Sequence, residues 1–270
     1  MPHTLQAALL GVVQGLTEFL PVSSSAHLIL ARAFFGFDAE AFGLSFDVAC
    51  HVGTLIAVVI YFRAELARMI RALPRLFEFR SDPDARLIWL LVVGTIPAIV
   101  VGALFNRRIE EHMRTPEIAA FALAGGAIVF FVAERVGSQD RRDDSLTFAD
   151  AFWIGCAQAV ALIPGVSRSG ATIALALFLG FRRAEAARFI FLLSIPAIFA
   201  AAGHEAPKVI AGGFGGDAAL LFAIGVITSA IVGFLAVKYF IRYLAHHTLD
   251  VFAWYRLALA AAAAVWVWRL

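Results

Sequence analysis

Cysteine and charge are both scarce in this chain. Its two cysteines, Cys50 and Cys156, stand alone in apolar runs with no CxxC or Cys/His cluster around them. That excludes a disulfide framework and a cysteine-built zinc site. Charged residues make up only 16% of the 270 positions, against about 25% in soluble domains. A net charge of +2 is too small to mark a nucleic-acid partner, so none is expected. Basic residues are also missing before the first apolar run, which opens Met1-Pro2-His3-Thr4, so no cleavable signal peptide is expected there. Polar stretches long enough to fold separately are absent too, and one integral membrane domain, 1–270, is the expected organisation.

What the chain has instead is 61% hydrophobic residues and a mean hydropathy of +0.85, with charges gathered between long apolar runs. The bilayer is therefore the solvent. Crossing its core of about 30 Å takes roughly 20 apolar residues. Such runs occur near Leu44–Phe62, Leu87–Phe105, Glu117–Glu134, Glu185–Ala202, Ala218–Tyr239 and Val251–Trp268. Two further regions are shorter and broken. Leu5–Leu20 and Phe148–Ile163 each end in a Pro/Ser-rich interruption, followed by Ala26–Phe35 and Ala171–Leu179. Paired half-length helices read as re-entrant hairpins, whose irregular backbone is tolerated only against protein or a wet cavity. The expected fold is an all-α polytopic membrane protein: six transmembrane helices plus two re-entrant helical hairpins in an inverted repeat. With the hairpins entering from opposite faces, the outer segments hold only Arg32, Arg107, Arg108, Arg114, Lys208 and Arg269. The remaining basic residues fall largely on the cytoplasmic side, as the positive-inside rule requires.

The broken regions align without a gap. Gly11, Gln14, Val22, Ser23, Ser25 and Ile29 match Gly155, Gln158, Val166, Ser167, Ser169 and Ile173, each 144 positions on. A weaker echo pairs Gly94 and Gly102 with Gly225 and Gly233. The repeats run about 1–134 and 148–270. Discontinuous helices in inverted repeats aim half-helix N-termini at an anion near the midplane.

The first break reads Gln14-Gly15-Leu16-Thr17-Glu18-Phe19-Leu20-Pro21-Val22-Ser23-Ser24-Ser25-Ala26-His27. Gln14 and Glu18 share a helix face and suit a divalent cation, because magnesium takes one or two carboxylates plus substrate phosphates. Ser23 or Ser24 is expected to cap the second half-helix. His27 follows Ser24 by one turn, the spacing of a Ser–His pair. The second break, Pro164-Gly165-Val166-Ser167-Arg168-Ser169-Gly170-Ala171-Thr172, supplies hydroxyls, close backbone approach at the glycines and a guanidinium that needs Glu18 or a phosphate as partner. A purely structural Glu18–Arg168 pair is the bland alternative. Intramembrane ionisable groups are costly and usually functional, and together these parts suit phosphoryl transfer.

The same two segments resemble the signature motifs of the bacterial undecaprenyl-diphosphate phosphatases, the bacitracin-resistance proteins, and the similarity runs over essentially the whole chain, including Gly53-Thr54. The resemblance implies hydrolysis of undecaprenyl diphosphate to the monophosphate for recycling of the cell-wall lipid carrier. It also implies a magnesium or calcium cofactor and a site opening outward from the bacterial plasma membrane. The acidic motif carries over to Gln14 and Glu18; some members have Glu at the first position. The catalytic positions carry over to Glu18, Ser24, His27 and Arg168, with Ser23, Ser25, Gly165, Ser167, Ser169, Gly170 and Thr172 about the substrate. Ser24 is the favoured nucleophile with His27 as its proton partner, Ser23 or water being the alternatives. Partners are the lipid substrate, membrane lipids and a second copy of the chain.

Other residues read more simply. Asp47 and His51 lie four apart and line the cavity or support it. Glu134 and Arg135 are interfacial, His246 and His247 solvated, and Trp153, Trp254, Trp266 and Trp268 belong to the aromatic belt. A transporter or flippase of polyprenyl phosphates is the competing function, since broken helices are common there. The unrelated membrane phosphatases with Ser-Arg, five residues and His are excluded, because Ala174 stands where their histidine would.

Overall fold

The computed structural model describes residues 2–37, 42–211 and 216–268; Arg269 lies outside them, as does the side chain of Lys208. Eleven α-helices follow one another among the described residues. The first hairpin is α1 (His3–Phe19) and α2 (Ser24–Phe35). Helix α1 stops at Leu20, which is extended because the residue before a proline is pushed out of the helical region. Gly36, left-handed at φ 61°, ends α2 as glycine commonly does. Helix α3 (Leu44–Tyr61) turns through 76° into the Arg-rich α4 (Arg63–Ala72).

Two long helices follow, α5 (Pro83–His112) and α6 (Pro116–Val136), capped by Asp82 and Thr115 with proline in the first turn, where its missing N–H costs nothing. The second hairpin is α7 (Phe148–Val160), opened by a Thr147/Asp150 capping box, and α8 (Arg168–Phe178). Helices α9 (Arg183–Ala211), α10 (Gly216–Leu244) and α11 (Asp250–Val267) complete the chain. Five helices are long and apolar enough to span a bilayer, or six when α3 and its bent continuation count as one. Their outward residues are apolar: Leu104, Phe121, Ile128 and Phe199 are all mostly exposed, which fits lipid and not water.

Between lipid-embedded helices close packing, not water exclusion, drives association, and small residues let backbones meet. Gly11 lies against Gly225, and Gly155 against Gly94, so closely that an added Cβ would meet the facing carbonyl. Gly15 and Gly53 likewise face α10. These contacts seat α1 and α3 on α10, and α7 on α5. Glu134 departs from its interfacial expectation. Its side chain is buried, paired with Arg183 and accepting the N–H of Leu249 at 2.7 Å, which ties the end of α6 to the starts of α9 and α11. His246 and His247 are exposed, as expected.

Candidate active site at the two helix breaks

Both breaks adopt one local geometry. Ser23 and Ser167 have positive φ, 71° and 73°, a region L-residues enter rarely. Each then caps the next helix: Ser23 Oγ accepts from Ala26 N at 3.4 Å and Ser167 Oγ from Gly170 N at 3.2 Å. Each also meets the hydroxyl two residues on, Ser25 at 3.2 Å and Ser169 at 3.3 Å. The breaks touch: Ser169 Oγ donates to Leu20 O at 3.1 Å, and Gly165 N to Ser25 Oγ at 3.4 Å. Gly165 has φ 95°, and a side chain there would strike Ala119 O at 2.6 Å, so this turn requires glycine.

The tips bring Glu18 and Arg168 together. Arg168 Nη2 donates to Glu18 Oε1 at 2.7 Å, across 150 residues. Glu18 Oε2 accepts from Ser24 Oγ at 2.7 Å and from Gln14 Nε2 at 2.8 Å, with His51 Nε2 at 3.5 Å. A cavity of about 420 Å³ opens over this cluster, lined by Glu18, Ser23, Ser24, Ser25, Pro164, Ser167 and Arg168, with Asp47 and His51 of α3 and Gln158 of α7. Gln14 Oε1 and Gln158 Nε2, matched positions of the two breaks, are buried without a hydrogen-bond partner among the described residues, which in a native core calls for a ligand, an ion or water. Thr172 bonds back to Arg168 O at 2.6 Å and Gly170 packs on Phe130, so these two shape α8 and stand behind the cavity.

The Ser24–His27 pair expected from spacing does not form. His27 Nδ1 lies 2.7 Å from Ser23 O and Nε2 2.7 Å from the Tyr255 hydroxyl. A carbonyl only accepts, so Nδ1 carries the proton and Nε2 is engaged by Tyr255. His27 thus braces the hairpin, and the partner of Ser24 is Glu18. The reason is helical geometry: Ser24 starts α2 pointing back at α1, whereas His27 sits one turn on, facing α11.

Sequence reasoning missed Arg256. It is fully buried on α11 and donates to five carbonyls: Leu123, Pro21, Val166, Ala122 and Gly165, at 3.0–3.3 Å. It therefore fastens both breaks to α6, in space left open because position 126 is glycine. A lone Arg within an apolar span was the available signal. Asp47 is bound by Arg32 and by Arg114, the latter at 3.2 Å, which joins α2, α3 and the α5–α6 turn beside the cavity.

Fold and site together define a class: a polytopic helical membrane protein with an arginine and a carboxylate meeting at two capped helix breaks. The sequence matches the family described as bacitracin resistance protein BacA over residues 7–262. It is 52% identical over 268 residues to an undecaprenyl-diphosphatase of Rubrobacter xylanophilus, covering 98% of each chain. It is 45% identical over 257 residues to that of Desulforudis audaxviator, covering 95% of each. An undecaprenyl-diphosphatase 2 of Stutzerimonas stutzeri is 46% identical over 261 residues, covering 95% of this chain and 96% of that one. The chain belongs to the BacA family.

Proposed function

We propose that the chain removes the terminal phosphate of undecaprenyl diphosphate, giving undecaprenyl phosphate and inorganic phosphate, in the plasma membrane of a bacterium with its site opening outward. The observation that carries this reading is the hydroxyl of Ser24 held 2.7 Å from Glu18, whose other oxygen lies 2.7 Å from Arg168. Nucleophile, proton acceptor and phosphate-binding cation stand in one cavity. The serine caps and glycine contacts at matched positions support reading 1–134 and 148–270 as inverted repeats.

Arg168 turns from Glu18 to the phosphate oxygens, where its fork neutralises charge that builds up in transfer. Ser24 Oγ attacks the terminal phosphorus as its proton passes to Glu18, and undecaprenyl phosphate departs. Water then attacks the phosphoserine phosphorus; Glu18 returns its proton to the departing Ser24 oxygen, and the proton that water gives up leaves with inorganic phosphate. Ser23 and Ser167 hold the half-helix starts whose N–H groups favour an anion. His27 keeps Ser23 in place through its carbonyl.

A divalent cation, magnesium or calcium, fits as a guest completed by substrate. No group of three or more His, Cys, Asp or Glu suited to a metal occurs among the described residues, yet Gln14 Oε1 is a buried oxygen beside Glu18 with no partner among them. Glu18 and Gln14 would hold the ion, and phosphate oxygens would supply the rest. When bound it offsets negative charge on the diphosphate.

Phosphate release by purified protein in detergent tests the proposal. Release from undecaprenyl diphosphate, lost in Ser24→Ala, is expected. A protein that binds polyprenyl phosphates but releases none, and moves them across vesicles, would be a transporter instead.

A further inference from the structure

The cavity has a second half that the chemistry at the breaks does not use. Away from Glu18 and Arg168 its walls include Ile99, Gly102 and Ala103 of α5, Leu162 of the second break, and Ile198 and Ala201 of α9, with Glu110, Arg114 and His204 on the same cavity. Ile198 is buried, whereas Ile99, Ala103 and Ala201 are exposed. Exposed apolar lining on both α5 and α9 is what a sideways opening onto lipid between these helices would leave. Charged floor and apolar arm are one continuous space.

We infer that this arm, between α5 and α9, is the subsite for the first isoprene units of the lipid substrate, and that Gly102 sets its bore. The inference rests on the phosphatase reading. A polyprenyl diphosphate carries its charge at one end of a chain that stays in the bilayer. Its phosphates must reach Arg168 while the adjoining carbons remain in an apolar setting. A site opening only to water would force those carbons out of lipid; this one lets the molecule slide in from the side. Because the whole cavity holds only about 420 Å³, it grips only the near isoprene units and leaves the rest in the membrane.

Gly102 is the position that tests this. Among the described residues an added Cβ would meet only Leu162 Cδ1, at 3.9 Å, so a larger side chain grows into the arm without striking described backbone. A second apolar groove, of about 400 Å³, runs between α6 and the second hairpin past Gly125, Val129, Val160 and Phe178. The hairpin itself walls it from the charged floor, since Val166 faces the groove while Ser167 and Arg168 face the cavity. A tail bound there could not be joined to a head at Arg168 by a direct path.

The experiment compares kcat/KM for dimethylallyl, farnesyl and undecaprenyl diphosphates in detergent. The wild-type value is expected to rise from the first to the second and then level off. In Gly102→Phe the preference for farnesyl over dimethylallyl should fall about tenfold to a hundredfold, the range by which apolar pockets discriminate chain size. Gly125→Phe, which fills the other groove, should leave that preference unchanged. An unchanged preference in Gly102→Phe, or an equal loss on all three substrates, overturns the inference. A photoreactive polyprenyl phosphate, with its label on the first isoprene, gives a readout independent of turnover. Label on α5 and α9 is expected, and label on α6 and α8 overturns the subsite. Should wild-type release phosphate from none of the three diphosphates, the phosphatase reading fails, while labelling still decides where the chain lies.

Discussion

Replacing Arg256 by methionine keeps most of the side-chain volume and removes the guanidinium that binds both helix breaks. Two of its five acceptors, Ala122 O and Leu123 O, belong to α6 and keep their helical bonds. Three, Pro21 O, Gly165 O and Val166 O, lie in the breaks. Leaving three buried carbonyls unsatisfied costs about 3–9 kcal/mol at about 1–3 each. Against this stands the relief of no longer burying a cation, itself several kcal/mol. The net expectation is a loss of roughly 2–4 kcal/mol in stability, well inside the range for breaking a buried polar network. Function should suffer more than folding. A displacement of about 1 Å at reacting groups can cost on the order of a hundredfold, and Arg256 contacts the residues immediately before Val22-Ser23 and Ser167-Arg168. Thermal unfolding in detergent and phosphate release by the same preparation measure the two effects. Arg256→Lys, with one point charge and no fork, should recover only part of each. A methionine variant with wild-type melting temperature and wild-type turnover would refute the idea that this residue holds the breaks together.

Gly155→Val should lower the melting temperature, because the new side chain meets the Gly94 carbonyl; overpacking of this kind costs about 1–3 kcal/mol, and an unshifted melt would contradict the α5–α7 contact. At the start of α7, burial raises the Asp150 carboxyl pKa, but hydrogen bonds from Arg141 and Thr147 outweigh it and hold it below the usual range. Its stabilisation is thus present above the unfolded-state value of about 3.9 and lost as pH falls through the lower folded value. The melting-temperature gap between wild type and Asp150→Asn should be full at neutral pH and close in acid; a gap that widens on acidification would reverse the sign. Chelation should abolish phosphate release and added magnesium or calcium restore it, whereas a rate indifferent to chelator removes the cation from the account.

Much of the fold was legible because its punctuation is local. Pro21 and Pro164, with serines just after, mark the ends of half-helices, and the matched positions 144 residues apart mark two breaks of one design. Gln14 and Glu18 meet as their spacing requires, and the half-buried guanidinium of Arg168 finds a carboxylate. What stayed hidden depends on distant partners. Tyr255 claims His27 across 228 residues, so a one-turn spacing that suggested Ser24 misled. Glu134 lies at a helix end, where charges usually meet water, but Arg183 and Leu249 N converge on it and bury it. Arg256 stands out as a lone arginine in an apolar span, but its hydrogen-bond acceptors among the described residues are backbone carbonyls, which no side-chain pattern announces. The glycine echo of Gly94 with Gly225 looked faint in apolar helices, yet each packs on a glycine of a hairpin, Gly155 in one case and Gly11 in the other.

A cycle of Glu18→Gln, Arg168→Ala and the double variant, assayed for phosphate release from undecaprenyl diphosphate, probes most directly whether the two tips act as one catalytic unit. Each single change should lower kcat by about 10²–10³-fold, as loss of one charge-stabilising group does, and the double variant should lose no more than the worse single one, as expected for groups that act together. Losses that simply multiply, or single variants that turn over like wild type, would contradict it.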